Sequence, residues 1–139
     1  MFRGTVSDAS VNCNGGNDVT ALADHIARIC KIEDITIESH SRGGRAYRRS
    51  RKIKIRPVKS EITYAIALHE IGHILGPRQS GCRLDKEVGA WEWAIENAER
   101  WTLPMSRKMK ECLQSYLVKV ERSPRMRKPD AQHPVYALV

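Results

Sequence analysis

One segment constrains the fold of this chain more than any other, because it predicts a helix that must be buried. Residues 61–75 are apolar almost all the way round a helix, and Ser60 before them is a suitable N-cap. The Gly76-Pro77 pair that follows predicts the end of the helix. A helix with this pattern is stable only when other elements cover it on most sides. The chain is therefore expected to fold around residues 61–75.

The predicted buried helix carries three polar residues that point to a chemistry. His69, Glu70 and His73 form the run His-Glu-Ile-Gly-His, whose two histidines lie four residues apart on one helix face. Two imidazoles in this arrangement bind one zinc ion, and the intervening glutamate acts as general base, as in zincin peptidases. The alternative is that hydrogen bonds inside a protein core satisfy both histidines.

A catalytic zinc ion usually takes three protein ligands, so a third is expected elsewhere in the chain. The metzincin pattern supplies a third histidine soon after the second, but this chain has Gln79 there. A neutral amide is a poor zinc ligand. Met105, as a candidate for the Met-turn of that class, adds little when the ligand is missing.

Glu87 is the better candidate for the third ligand. On a predicted helix it shares one face with the apolar residues Ala90, Trp91 and Ala94, where an unpaired carboxylate would be expensive to bury. A metal ion would satisfy it, and the small alanines would let the two helices approach closely. The alternative is an exposed Glu87 at a helix start, favoured by the helix dipole. Asp85 is the reserve ligand, although it resembles an N-cap.

The remaining periodicity predicts an α+β fold of the zincin type, with a small sheet packed against several helices, including the one that carries the histidines. The further elements are a helix from N-cap Asp18 to about Lys31, a strand at 35–37, a flexible basic turn at 41–45, a strand at 52–56 with Ile53 and Ile55 inward, and helices at about 85–100 and 106–120, with a break at Pro104. Residues 1–122 are predicted to form one domain whose first 17 residues are irregular, and residues 123–139 an extended basic tail with prolines.

The chain is basic, with a net charge of +8, and much of the excess lies between Arg42 and Lys59. Such a segment attracts nucleic acid or an acidic or DNA-bound protein through salt-sensitive contacts. If the strand at 52–56 is a sheet edge, it aligns a substrate as an added strand and favours acidic side chains. The alternative is a solvated basic face. The candidate contact residues are Arg48, Arg49, Arg51, Lys52 and Lys54.

The cysteines and the N-terminus predict a cytoplasmic protein with no membrane partner. Four cysteines are scattered without Cys-x-x-Cys spacing, which favours free thiols over a zinc site or a disulfide framework. The N-terminal residues lack an apolar signal core, and no apolar run approaches membrane-spanning length.

About residues 50–105 resemble the ImmA/IrrE-type metallopeptidases. The resemblance rests on the histidine motif with the basic strand and apolar run before it, and on two further matches. These are the family's second-helix pattern Glu-x-x-Ala-x-x-aromatic-Ala and a later Leu-Pro pair, matched here by Glu87, Ala90, Trp93, Ala94 and Leu103-Pro104. The resemblance implies a zincin-like fold, a zinc ion held by His69, His73 and Glu87, an origin in phages or mobile elements, and cleavage of a DNA-binding repressor.

Three functions follow as expectations. The first is zinc-dependent hydrolysis of peptide bonds in a protein substrate, with Glu70 moving the proton and His40, Arg45 or Tyr47 as a candidate donor to the oxyanion. The second is a non-catalytic module of the same fold that engages DNA or a DNA-bound or acidic protein through its basic surface. The third is a metal-dependent hydrolase of another substrate. The intact Glu70 favours an enzyme, because a purely structural metal site has no use for it.

Overall fold

The computed structural model describes residues 15–139, with side chains from residue 19 onward. Expectations for residues 1–14 lie outside this range. The described residues form an α+β fold, as predicted. Its elements are α1 (Gly15–Glu33), β1 (Thr36–Ser39), β2 (Gly44–Tyr47), β3 (Lys52–Ile55), α2 (Glu61–Leu75), α3 (Arg83–Asn97), α4 (Leu103–Arg122) and α5 (Val135–Leu138).

Helix α2 has the predicted bounds and the predicted central position. The Ser60 hydroxyl accepts a hydrogen bond from the Thr63 amide, and the Thr63 hydroxyl accepts one from the Ser60 amide. This reciprocal pair satisfies N–H groups that the first turn leaves unbonded. The body of α2 packs against α1, α3, α4 and two of the strands. Its apolar surface is covered on several sides, which explains why its sequence lacks a polar stripe.

The sheet has the order β1-β3-β2, with β1 parallel and β2 antiparallel to β3. Ile53 and Ile55 are buried, as the alternation predicted. Because β3 lies in the middle of the sheet, the condition under which residues 52–56 would align a substrate is not met. The free edge beside α2 belongs to β2, which comes from the segment predicted as a flexible turn. Its short sequence has little strand propensity of its own, and pairing with β3 stabilises it.

Three helix starts differ from their predicted positions. Helix α1 begins at Gly15, before the predicted N-cap Asp18. Helix α3 begins at Arg83, so Asp85 lies inside the first turn, where its carboxylate accepts a hydrogen bond from the Cys82 amide. Pro104 lies in the first turn of α4 and does not break the chain, because its missing N–H would have no helical partner there.

The C-terminal tail returns to the domain, so the prediction of an extended tail is wrong for its last part. Residues 135–138 form α5, which packs against α3, and the Val135 side chain is fully buried. The imidazole Nε2 of His133 lies 2.7 Å from Oδ1 of Asp85, in the first turn of α3. The tail therefore supports the start of α3.

The cysteines of the described residues carry free thiols, as predicted; Cys13 lies outside that range. Burial raises the pKa of Cys30 to about 11, so this thiol stays protonated and unreactive near neutral pH. Within residues 15–139, every helix is too short or too polar to cross a bilayer.

Helices α2 and α3 approach closely because small residues face each other. A Cβ atom added to Gly72 would lie 2.9 Å from the Cα of Ala90, nearer than real Cβ contacts come. The neighbouring atoms belong to the α3 backbone and cannot rotate away. The alanine predicted to allow close approach does so, with a glycine opposite it.

We predict that Gly72→Ala destabilises the protein, although the same change in an exposed helix stabilises by about 1 kcal/mol. The added methyl group must push α3 away, and such overpacking costs about 1–3 kcal/mol. Urea denaturation measures the free energy of unfolding. Ser115→Ala on the exposed side of α4 is the control, with an expected change within about 0.5 kcal/mol. A stabilised Gly72→Ala variant would contradict the close packing.

Candidate metal centre

The residues predicted to bind a metal ion lie together between α2 and α3. One ligand atom from each of His69, Glu70 and His73 lies within 4.8 Å of the others, so this group could hold a metal ion. Glu87 of α3 faces both imidazoles across the helix interface. Its Oε1 lies 3.2 Å from Nε2 of His69, and its Oε2 lies 2.9 Å from Nε2 of His73.

Gln79 determines which nitrogen of His73 carries the proton. Its side-chain amide nitrogen donates hydrogen bonds of 2.9 Å to the carbonyls of Pro77 and Lys86. The amide oxygen must therefore face His73, where it lies 3.1 Å from Nδ1. An oxygen only accepts, so Nδ1 of His73 is the donor and a neutral ring carries its lone pair on Nε2. Nε2 is the atom that faces Glu87.

This arrangement fits a cation. The lone pair of His73 Nε2 and the carboxylate of Glu87 are both acceptors at hydrogen-bond distance, so a proton or a metal ion must lie between them. Burial lowers the pKa of His73, but hydrogen bonds to Glu87 and Gln79 outweigh it and the net pKa is raised. Burial would raise the pKa of Glu87, yet both histidines hold it far below its usual range. The carboxylate therefore stays charged, as a metal ligand must.

His69 is held by packing. Its ring stacks on Trp91 of α3 with 4.2 Å between ring centroids, and it meets the His73 ring edge-on at 4.6 Å. Its Nδ1 is buried without a hydrogen-bond partner among the described residues. Trp91, predicted on the same face as Glu87, therefore positions a histidine as well as filling the core.

Glu70 lies at the floor of the site, close to the edge strand β2. A Cβ atom on Gly44 would come within 2.8 Å of both Cγ and Oε2 of Glu70, so a larger residue here would force the Glu70 side chain to move. Burial raises the pKa of Glu70, partly opposed by the charges of His69 and His73. The sequence signal for this approach was the glycine itself, which had been assigned to a flexible turn.

Asp85, the reserve ligand, is occupied elsewhere. Its carboxylate is bonded to His133 and the Cys82 amide, and the His133 hydrogen bond is the main reason that the pKa of Asp85 is lowered. Met105 is buried in the first turn of α4. Of the predicted third ligands, only Glu87 contacts both histidines.

The site opens into a cleft of about 760 Å³. Of the basic residues predicted to make contacts, Arg48 and Arg49 line it, whereas three others have partners in the fold. Arg51 donates hydrogen bonds to the Glu33 carbonyl at the end of α1. Lys52 and Lys54 lie 3.5 and 4.0 Å from the Glu38 carboxylate and above the Tyr47 ring. The cleft also has cationic side chains absent from that prediction, namely Arg45, Arg83 and Lys86.

Comparison of the chain with protein-family models, with characterised proteins and with solved structures gives no match. The resemblance to ImmA/IrrE-type metallopeptidases therefore stays a prediction.

We predict that Gln79→Leu lowers affinity for Zn²⁺ by about 10–100-fold, as expected when a group that orients a metal-binding histidine is lost. Without the amide oxygen, the His73 ring loses its fixed tautomer and its orientation. Competition with a chromophoric chelator measures the affinity, and circular dichroism verifies the fold. Ser80→Ala, at the exposed neighbouring position, should bind as tightly as the wild type. Unchanged affinity in a folded Gln79→Leu variant would refute this role.

Proposed function

We propose that the protein is a zinc-dependent peptidase in which His69, His73 and Glu87 hold the metal ion. One observation carries this proposal: the Glu87 carboxylate faces both Nε2 atoms, and Glu70 lies beside them at the floor of an open cleft. Two imidazoles and one carboxylate form a typical catalytic zinc set, which leaves a coordination position open. A structural site, by contrast, is normally closed by four protein ligands.

The chemistry divides between the metal ion and Glu70. A bound zinc ion acts as a Lewis acid and lowers the pKa of water. Glu70 accepts the proton of the attacking water at its carboxylate and delivers it to the amine that leaves. Burial raises the pKa of Glu70 above its ordinary value, which favours holding the proton until it passes to the leaving amine.

Strand β2 is suited to aligning a substrate. One side of β2 pairs with β3, and in the described sheet its other side is unpaired and borders the cleft. An extended peptide added there would gain backbone hydrogen bonds. This role was predicted for residues 52–56 and passes to β2. Of the candidate oxyanion donors, Arg45 and Tyr47 line the cleft, and His40 is not among the lining residues.

We predict that the wild type binds about one zinc ion per chain and that Glu87→Ala loses it, because a three-ligand site cannot hold the ion with two imidazoles alone. Metal analysis after dialysis gives the stoichiometry. His69→Ala and His73→Ala should lose zinc in the same way. Asp85→Asn is the matched control, since this carboxylate is bonded to His133, and it should retain the metal. Full occupancy in Glu87→Ala would remove Glu87 from the ligand set.

We predict that Glu70→Gln retains zinc and the fold but loses about 10²–10⁴-fold in peptide hydrolysis, because an amide cannot accept the proton. The measurement is kcat/KM on a cleaved protein or peptide, alongside metal content. Glu92→Gln on the far side of α3 is the control for loss of a carboxylate, since Glu92 is paired with Arg78 outside the cleft. Near-normal cleavage by Glu70→Gln would overturn the mechanism. A wild type that binds zinc and cleaves none of a broad peptide set would favour the binding-module alternative.

A further inference from the structure

We infer that the cleft selects acidic peptide segments, with carboxylates on both sides of the bond that lies over the metal centre. This inference rests on the proposed function and adds the substrate class. The two cleft walls carry the positive charge that supports this inference. One wall is β2 and the turn after it, with Arg45, Arg48 and Arg49; the other is the first turn of α3, with Arg83 and Lys86.

The cationic walls are not neutralised by the fold. Among the described residues, the only carboxylates that line the cleft are Glu70 and Glu87, and both belong to the candidate metal centre. Arg45, Arg48, Arg49 and Lys86 form no ion pair with a carboxylate of residues 19–139. Burial raises the pKa of Tyr116, and the nearby charge of Arg83 partly opposes that shift. Cations that face each other across a concave surface concentrate anionic ligands there.

Several basic residues outside the cleft do have a carboxylate partner. The guanidinium groups of Arg28, Arg78 and Arg100 each lie within 3.1 Å of a carboxylate oxygen. Lys52 and Lys54 share Glu38 on the outer face of the sheet. What distinguishes the unpaired cations of the cleft walls is their position, because they line one concave surface around the candidate metal centre.

The site favours an acidic peptide over a nucleic acid. Bases of a single strand bind by stacking on aromatic faces, and Tyr47 is the only Phe, Trp or Tyr side chain among the lining residues. Its ring is already engaged, with the Lys52 and Lys54 ammonium groups 5.0 and 5.6 Å from its centroid. A peptide, in contrast, can use the unpaired edge of β2 as well as the charges. Alternate side chains of an added strand would then lie on the same face as Arg45.

The test separates binding from cleavage by using the zinc-loaded Glu70→Gln variant. Two fluorescein-labelled peptides of one sequence are compared by anisotropy, one with Asp and Glu flanking a central apolar pair and one with Asn and Gln instead. We expect the acidic peptide to bind at least about 10-fold more tightly at low salt. The difference should shrink toward physiological salt, where exposed charges are screened beyond about 8 Å.

Matched variants locate the effect. Arg48→Ser/Arg49→Ser and Lys86→Ser, made in the same background, should each reduce the preference for the acidic peptide and leave zinc content and melting temperature unchanged. The control is Lys31→Ser/Lys59→Ser, which removes the same charge from exposed positions that do not line the cleft. It should bind like the parent. Arg51 is left intact, because its hydrogen bonds to Glu33 would mix stability with binding.

The remaining results would contradict either the acidic selection or the peptidase activity. Equal binding of the two peptides, or the same loss in the Lys31→Ser/Lys59→Ser control, would overturn the inference. So would tighter binding of a single-stranded oligonucleotide of the same charge. Wild-type enzyme that cleaves both peptides equally would refute acidic selection and leave the peptidase intact. If the acidic peptide binds selectively but the wild type does not cleave it, acidic selection stands and the peptidase is refuted.

Discussion

The close contact between α2 and α3 is the interaction on which the rest of the site depends. The two histidines belong to α2 and the carboxylate that faces them to α3, so their separation is set by how near the helix axes can come. Gly72 against Ala90 fixes that distance through backbone contact, which does not relax as a flexible side chain would. Stacking of His69 on Trp91 adds a second fixed contact between the same helices. Ligand geometry is therefore a consequence of core packing.

Burying a carboxylate against two imidazoles creates a need for positive charge, and the protein meets it in a pH-dependent way. Gln79 leaves Nε2 of His73 without a hydrogen when the ring is neutral, so the gap to Glu87 is filled by a proton or by a metal ion. Because hydrogen bonds to Glu87 and Gln79 outweigh burial and raise the pKa of His73, the proton competes for this ring more strongly than it does for a free imidazole. Metal binding must displace it, so affinity should fall as the pH drops below that raised pKa.

Local periodicity was enough to predict the core of this arrangement. The bounds of α2, its capping residue and the face of α3 that carries Glu87 follow from side chains a few residues apart. The edge strand β2 could not be predicted in this way, because four residues with weak strand propensity become a strand only by pairing with β3. The sequence presents Gln79 only as a possible ligand. Its role in orienting His73 depends on the carbonyls of Pro77 and Lys86, which the fold brings together. The packing of Val135 and His133 against α3 likewise depends on contacts between residues that are distant in sequence.

The basic residues between Arg42 and Lys59 are continuous in sequence, but the fold places them in different environments. Between Arg42 and Lys59 the chain has nine basic residues and no acidic one, which predicts a single cationic patch. In the fold, Arg51 donates a hydrogen bond to the Glu33 carbonyl at the end of α1. Lys52 and Lys54 pair with Glu38 on the outer face of the sheet. Only the residues of β2 and its following turn reach the cleft, where α3 adds cations from a distant part of the chain. Positive charge is thus concentrated in the cleft, because the unpaired edge strand β2 and the helices that carry the two histidines and Glu87 meet there.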